Sequence, residues 1–238
     1  MYQNYIFDLY GTLIDINTNE NKRYLWDKMA EWYGFHGAHY TAPELKKAYN
    51  ALVKESLNAP SPYQYPEIEL PPVFQALYRQ KGIDASDELV LHTGQMFRIL
   101  STKFICLYDG VIDLLDTLRN KGKCLYVLSN AQRMFTEYEM RLLQIYDRFD
   151  GIVFSSDEGC MKPDPAFYQV VLDRYQLDKR ASIMIGNDAV ADILGANHAG
   201  LDSLYLHSDL SPEIEGELQS TFSVLDGDVR KIKELIVR

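Results

Sequence analysis

The chain is poor in cysteine: its 238 residues include three, Cys106, Cys124 and Cys160. An odd, scattered set with no CxxC pair makes a poor disulfide or zinc framework, and it points to a reducing compartment, the cytoplasm. Long apolar runs are missing as well. No window approaches the roughly 18 residues of a membrane span, so no membrane partner is expected. The one apolar opening, Tyr5-Ile6-Phe7, is broken by Asp8, which argues against a signal peptide. Positive charge is scarce: 24 Lys and Arg face 34 Asp and Glu, for a net charge of -10. Nucleic-acid backbones and anionic membranes require clustered Lys and Arg, so neither is an expected partner. A small anionic substrate is still compatible, because a few local cations suffice for it. Internal repeats and low-complexity tracts are also absent.

What is present is an ordinary globular balance, 47% hydrophobic and 24% charged, enough to bury a core without staples. The length suits one large domain, or a core with a smaller companion, as a monomer or a homodimer. Five short apolar runs read as strands: Tyr5–Phe7, Cys124–Leu128, Gly151–Ser155, Ser182–Ile185 and Leu201–Leu206. Several are apolar at successive positions, as strands covered on both faces are. Between the last four lie helical spacings at Phe135–Leu143, Pro165–Tyr175 and Ala189–Ala199. This β-α-β-α alternation predicts an α/β fold, an open parallel sheet with crossover helices.

The first strand breaks the rhythm. After Ile14, roughly 90 residues pass before the next strand-like run, far more than one crossover needs. The stretch is helical in pattern. Tyr24, Leu25, Met29 and Trp32 share one face; Leu45, Ala48, Tyr49 and Leu52 share another. Val73, Phe74, Leu77 and Tyr78 form a third, and Val90, Met96, Phe97 and Leu100 a fourth. Asn58–Pro72 holds five of the nine prolines and reads as an irregular connection. The expected organisation is a core of residues 1–15 and 104–238 with a helical insert, 16–103, that returns the chain to the same sheet.

Ligands in open α/β sheets bind beyond the carboxyl ends of the strands. Four such ends carry polar groups. The first ends in Asp8, the second in Ser129-Asn130. The third runs into Ser155-Ser156-Asp157, with Lys162 following in GCMKPDP. The fourth ends in Gly186-Asn187-Asp188, with Asp192 four residues on. Singly, each has an ordinary reading: Asp8 as a turn residue, Ser129 as a helix cap, Lys162 as a solvated charge, Asp188 and Asp192 as first-turn acids. In chain order, all four together point to one crevice.

The motifs resemble the haloacid dehalogenase-like (HAD) hydrolase superfamily. Asp8-Leu9-Tyr10-Gly11-Thr12 is similar to its first motif, DxDGT or DxYGT. Ser129 matches the second. Lys162-Pro163-Asp164-Pro165-Ala166-Phe167-Tyr168 matches the third, KPxPxxF/Y. Gly186-Asn187-Asp188 through Asp192, then Gly195-Ala196-Asn197-His198-Ala199-Gly200, is similar to the fourth. The resemblance implies a Rossmann-like core with a helical cap inserted after the first motif. It implies Asp8 as nucleophile, Ser129 and Asn130 as holders of an anionic substrate oxygen, and Lys162 as the charge that orients Asp8. A carboxylate nucleophile acts when it is aligned on an electrophile whose charge is offset.

Tyr10 leaves the reaction open. Phosphatases of the family carry an acid there, to protonate the leaving oxygen. A phenol, with an ordinary pKa near 10, is a poor proton acceptor at neutral pH. The family's haloacid dehalogenases carry Tyr at this position and use no metal. The fourth motif instead resembles the metal-binding form: Asp8, the Tyr10 carbonyl, Asn187, Asp188 and Asp192 are the candidate magnesium ligands. Three readings stand: a magnesium-dependent phosphohydrolase for a small phosphorylated metabolite, a metal-free 2-haloacid dehalogenase, and a weakly active or non-catalytic binding member. For the second, a cap arginine facing Asp8 is expected, with Arg23 and Arg98 as candidates. For the third, Tyr10 would plug the crevice.

Overall fold

Tyr5, Ile6 and Phe7 have no exposed surface. They lie in β1 (Asn4–Phe7), which the computed structural model, describing residues 2–237, places inside a six-stranded sheet. The strand order is β5 (Gly151–Phe154), β4 (Cys124–Ser129), β1, β6 (Ser182–Gly186), β7 (Asp202–Leu206) and β8 (Phe222–Val224). All neighbours are parallel, and Phe7 is level with Val127 on one side and Ile185 on the other.

Strand periodicity divides each apolar run between two layers. Tyr5, Phe7, Val127 and Ile185 face a layer built on Leu114 and Leu118 of α5 (Val111–Asn120) and Ile232 and Ile236 of α10 (Lys231–Ile236). Ile6, Leu128 and Met184 face the other layer. It is made by Phe167 and Val171 of α8 (Pro165–Arg174) and Ala196 of α9 (Gly195–Ala199). Burial on both faces is the reason these strands read as continuous rather than alternating. α6 (Arg133–Leu142) follows β4, and a single turn, α7 (Ser155–Glu158), follows β5.

The long insertion folds as four helices, α1 (Arg23–Phe35), α2 (Ala42–Leu57), α3 (Leu70–Arg79) and α4 (Asp87–Ser101). Their starts are chemically marked. Thr41 and Glu44 form a capping box at α2, and Ser86 accepts a bond from the Leu89 amide at α4. Their apolar faces close on one another around Trp26, Tyr49, Phe74 and Phe97, and Met134 and Phe135 of α6 join the same cluster. The expected faces hold, except that Tyr24 is 59% exposed.

Two features differ from expectation. β2 (Ile14–Thr18) and β3 (Thr102–Leu107) pair antiparallel, so the chain leaves for the helices and returns on a ribbon. The expected boundaries near residues 15 and 104 fall inside that ribbon. β5 also stops at Phe154, because Ser155 already begins α7.

Phe97 lies 5.7 Å from the Trp26 ring, 5.2 Å from Tyr49 and 5.6 Å from Phe74, centroid to centroid. Phe97→Ala is expected to cost about 3–5 kcal/mol and to lower Tm by roughly 10 °C in a chain of this size. Thermal unfolding followed by circular dichroism checks this; an unchanged Tm would mean the cluster contributes little.

Candidate active site

Parallel strands bring their carboxyl ends to one edge, and the polar groups meet there. Asp8, directly after β1, is buried, and its amide donates to the Ile185 carbonyl. Ser129 ends β4 and donates from Oγ to Asp8 Oδ1 at 3.0 Å. Lys162 Nζ donates to the same oxygen at 2.7 Å and to Asp192 Oδ1 at 2.7 Å. Asp8 Oδ2 is left with one long contact, Thr12 Oγ1 at 3.4 Å. The carboxylate is thus gripped by one oxygen and free at the other.

Lys162 is 3% exposed and Asp192 1%. Burial works against the charge of Lys162, but Asp192 and Asp8 more than offset it, so its pKa is raised and it stays an ammonium. Burial pushes the Asp192 carboxyl up, opposed by Lys162 and reinforced by Asp8. The Asp188 amide donates to Asp192 Oδ2 at 2.9 Å. Asp192, expected among the metal donors, therefore has both oxygens engaged inside the protein, and it serves as the mount of Lys162. Gly186 makes room for this, since a Cβ there would overlap the Asp192 side chain. Gly11, at φ +83°, turns the chain after Tyr10, and a Cβ there would overlap the Asn187 amide.

Asn130, expected at the substrate, is engaged elsewhere. Its Oδ1 accepts from the Lys162 amide at 2.8 Å and its Nδ2 donates to the Lys162 carbonyl at 3.0 Å. One Nδ2 hydrogen and the main chain remain for a ligand at the crevice that Asn130 borders. Tyr10 turns its hydroxyl away from Asp8. That hydroxyl donates to Glu139 of α6 and lies 2.9 Å from Thr136 Oγ1. Burial, then the Glu139 charge, push the phenol pKa well up. Arg98 of α4 pairs with Glu139 at 2.6 Å and stacks 5.5 Å from the Tyr10 ring centre. Arg98 is thus held by Glu139. Arg23, with a side chain 93% exposed, pairs with Asp27.

All eight expected residues, Asp8, Tyr10, Ser129, Asn130, Lys162, Asn187, Asp188 and Asp192, border one crevice of about 170 Å³, closed further by Ala191, Leu210 and Pro212. A larger groove of about 490 Å³ between α4 and α6 carries none of them. Three contributors escaped sequence reasoning. Thr12 Oγ1 also reaches Asn187 Oδ1 at 3.3 Å; its place in the first motif was the available signal. Leu210 and Pro212 had none.

The donors that could hold a metal are hard oxygens: the Asp8 carboxylate, the Tyr10 carbonyl, the Asn187 side-chain oxygen beside Thr12, and the Asp188 carboxylate, whose Oδ1 already caps Val190 and Ala191 at 2.8 Å. Among the described residues no three His, Cys, Asp or Glu side chains form a metal cluster. Such a set fits magnesium, which uses one or two carboxylates and keeps several waters.

A family model, haloacid dehalogenase-like hydrolase, matches residues 2–200. YfnB of Bacillus subtilis, a protein named for the HAD-hydrolases, is 28% identical over 163 residues, 68% of this chain and 65% of YfnB. A glyceraldehyde 3-phosphate phosphatase of Methanothermobacter thermautotrophicus is 28% identical over 141 residues, 57% of this chain and 62% of that enzyme. The chain thus matches just under two thirds of the length of each relative. A crystal structure of 2-haloacid dehalogenase from Pseudomonas syringae pv. Tomato is similar in fold, with a TM-score of 0.65 at 19% identity, covering 100% of this chain and 99% of that one. With its strand-end aspartate, serine and lysine gathered at one crevice, the chain belongs to the haloacid dehalogenase-like hydrolase family.

Proposed function

We propose that the protein is a magnesium-dependent phosphohydrolase acting on a small phosphorylated metabolite, with Asp8 as nucleophile and residues 16–103 as its cap. The observation that carries this is the state of Asp8. One oxygen is fixed by Ser129 and Lys162, and the other has only the 3.4 Å contact with Thr12. A nucleophile held in orientation with one free lone-pair oxygen is what in-line attack requires. The crevice, at about 170 Å³, suits a phosphoryl group better than a whole metabolite. The remainder of the substrate would meet the cap.

In this reading Asp8 Oδ2 bonds to phosphorus as the bond to the leaving oxygen breaks. Water then cleaves the acyl phosphate, releasing phosphate and restoring the carboxylate. Ser129 and Lys162 hold Asp8 and offset charge on the transferring group. Magnesium, held by Asp8, the Tyr10 carbonyl, Asn187 and Asp188, would supply further positive charge against the phosphate. The relatives named as phosphatases support this choice.

Tyr10 favours a second reading, the metal-free dehalogenase. That reading needs an arginine facing Asp8, and among the described residues no arginine lines the crevice. Arg98 is bound to Glu139 and Arg23 is exposed. The binding-only reading needs a plugged crevice, whereas Tyr10 forms a wall of an open one.

Asp8→Asn is expected to lower turnover of p-nitrophenyl phosphate on the order of 10⁴–10⁶-fold with the fold intact by circular dichroism. Wild-type turnover should vanish with EDTA and return with magnesium. Near-normal rates in Asp8→Asn would remove the covalent mechanism, and turnover of 2-chloropropionate without metal would favour the dehalogenase.

The Tyr10 hydroxyl faces Glu139, so the leaving oxygen has no built-in acid. Alkyl phosphates, whose leaving groups need a proton, are expected to react about 10²–10⁴-fold more slowly than aryl phosphates. Tyr10→Phe should leave the aryl rate within a few-fold of wild type while lowering stability by about 1.5–3 kcal/mol, since Glu139 loses a bond. Fast alkyl turnover that disappears in Tyr10→Phe would instead make Tyr10 the proton donor.

A further inference from the structure

Lys162 sits on a loop, and loops hold reacting groups less precisely than helices or strands do. This loop, Gly159–Asp164, is gripped on two sides. From the sheet, the Asn130 amide clamps the Lys162 main chain at both ends. From the other side comes a proline-bearing stretch of the insert, Gln64–Ile68. The Met161 amide donates to the Tyr65 carbonyl at 3.0 Å, and the Glu67 amide donates to the Gly159 carbonyl at 3.0 Å. Pro66 and Cys160 between them form an antiparallel bridge.

One carboxylate fastens this junction. Asp164 is 5% exposed. Its Oδ1 accepts from the Ala166 amide at 2.9 Å, capping α8. Its Oδ2 accepts from the amides of Gln64 at 3.0 Å and Tyr65 at 3.1 Å. Two main-chain donors of the insert thus end on a core residue two positions from the lysine. The stretch is tied again further on. Ser155 Oγ donates to Glu67 Oε2 at 2.7 Å, and Gln132 accepts from the Leu70 amide and donates to the Ile68 carbonyl. A loop folded only to cover surface would not need donors and acceptors matched on both flanks of a single residue.

We propose that Gln64–Ile68 is a strap that positions Lys162, fastened by Asp164, so that the placement of the insert is transmitted to the lysine that orients Asp8. The proposal rests on reading Asp8 and Lys162 as the reacting pair. Asp164 acts through Lys162 and is a positioning residue. An insert seated by the correct substrate draws the strap onto Gly159–Asp164 and fixes the ammonium; an insert that lifts releases it.

The test separates the strap from the helix cap. Asp164→Ser keeps an acceptor for the Ala166 amide but is too short to reach Gln64 and Tyr65. Glu67→Ala loosens the strap from the insert side and serves if Asp164→Ser does not fold. Three readouts apply to each variant: hydrogen exchange of residues 64–68 and 159–164, acetylation of Lys162 by acetic anhydride read by mass spectrometry, and p-nitrophenyl phosphate kinetics with magnesium. Faster exchange, faster Lys162 acetylation and a kcat lowered on the order of 10²-fold at little-changed KM are expected, since a displacement of about 1 Å suffices for such a loss. Faster exchange with Lys162 acetylation and kcat at wild-type levels overturns the proposal, as does unchanged exchange in both variants. If the wild type turns over no phosphate ester, the functional reading fails, and the acetylation result alone decides the strap.

Discussion

An ammonium taken out of water stays charged only if carboxylates replace the lost solvent, and Lys162 has two, Asp8 and Asp192, each at 2.7 Å. The rest of the site follows from that demand. Asp192 needs a donor for its other oxygen and finds the Asp188 amide. It also needs space against β6, which Gly186 provides. Asp8 must hold one oxygen towards the lysine, and Ser129 fixes the same oxygen, so its partner oxygen is the free one. Removing either carboxylate would leave a charge buried with half its compensation, a loss typically of about 3–5 kcal/mol. With both carboxylates ionised, this triad of two carboxylates and one ammonium carries a net negative charge. On the proposed reading, a phosphate ester arriving at Asp8 would meet repulsion that these three residues do not cancel. That repulsion is the physical ground of the proposed magnesium among the oxygens of Asp8, Tyr10, Asn187 and Asp188.

Much of this was legible because strand order in space and polar residues in sequence are linked. A parallel sheet gathers its carboxyl ends, so Asp8, Ser129 and the Asn187–Asp188 pair had to converge once the strands were recognised. Lys162 was legible from its place after the third strand and from the third motif, although nothing in a loop's composition fixes its path. What escaped was side-chain direction. Asn130 could serve a substrate or the backbone beside it, and composition does not decide between them; the structure has it grip Lys162. The ribbon of β2 and β3 escaped for another reason. β2, Ile-Asp-Ile-Asn-Thr, interleaves polar with apolar residues, and β3 sets exposed positions such as Phe104 among its apolar ones, so neither reads as a buried run. β8, three residues long, and α10, six, are too short for periodicity to register.

Tyr10 illustrates how a local departure from a motif is tied to distant residues. Its ring lies under the Arg98 guanidinium, and its hydroxyl completes the shell of Glu139. Glu139 is 5% exposed and would be costly there as an isolated charge. Arg98, on α4, neutralises it from the insert, and Tyr10, two residues after Asp8, hydrogen-bonds it from the segment that follows β1. Residue 10 is thereby used to join the two parts of the molecule. A carboxylate in its place would face Glu139 with like charge unless it turned towards Asp8, and it would leave Arg98 with one aromatic ring, Phe135, in place of two.

The insert is consequently attached beside both Asp8 and Lys162. Through Arg98 and Tyr10 it touches the segment that carries Asp8. Through Gln64–Ile68 and Asp164 it touches the loop that carries Lys162. These junctions differ in kind. The first is an ion pair stacked on an aromatic ring, tolerant of small rotations. The second is a ladder of main-chain bonds, whose strength falls steeply once donors and acceptors misalign. A small tilt of the insert about the β2–β3 ribbon would therefore disturb the lysine before it disturbs the aspartate. On the proposed reading, in which Lys162 orients Asp8 as nucleophile, sensitivity of this order makes alignment of Asp8 depend on how the insert is seated.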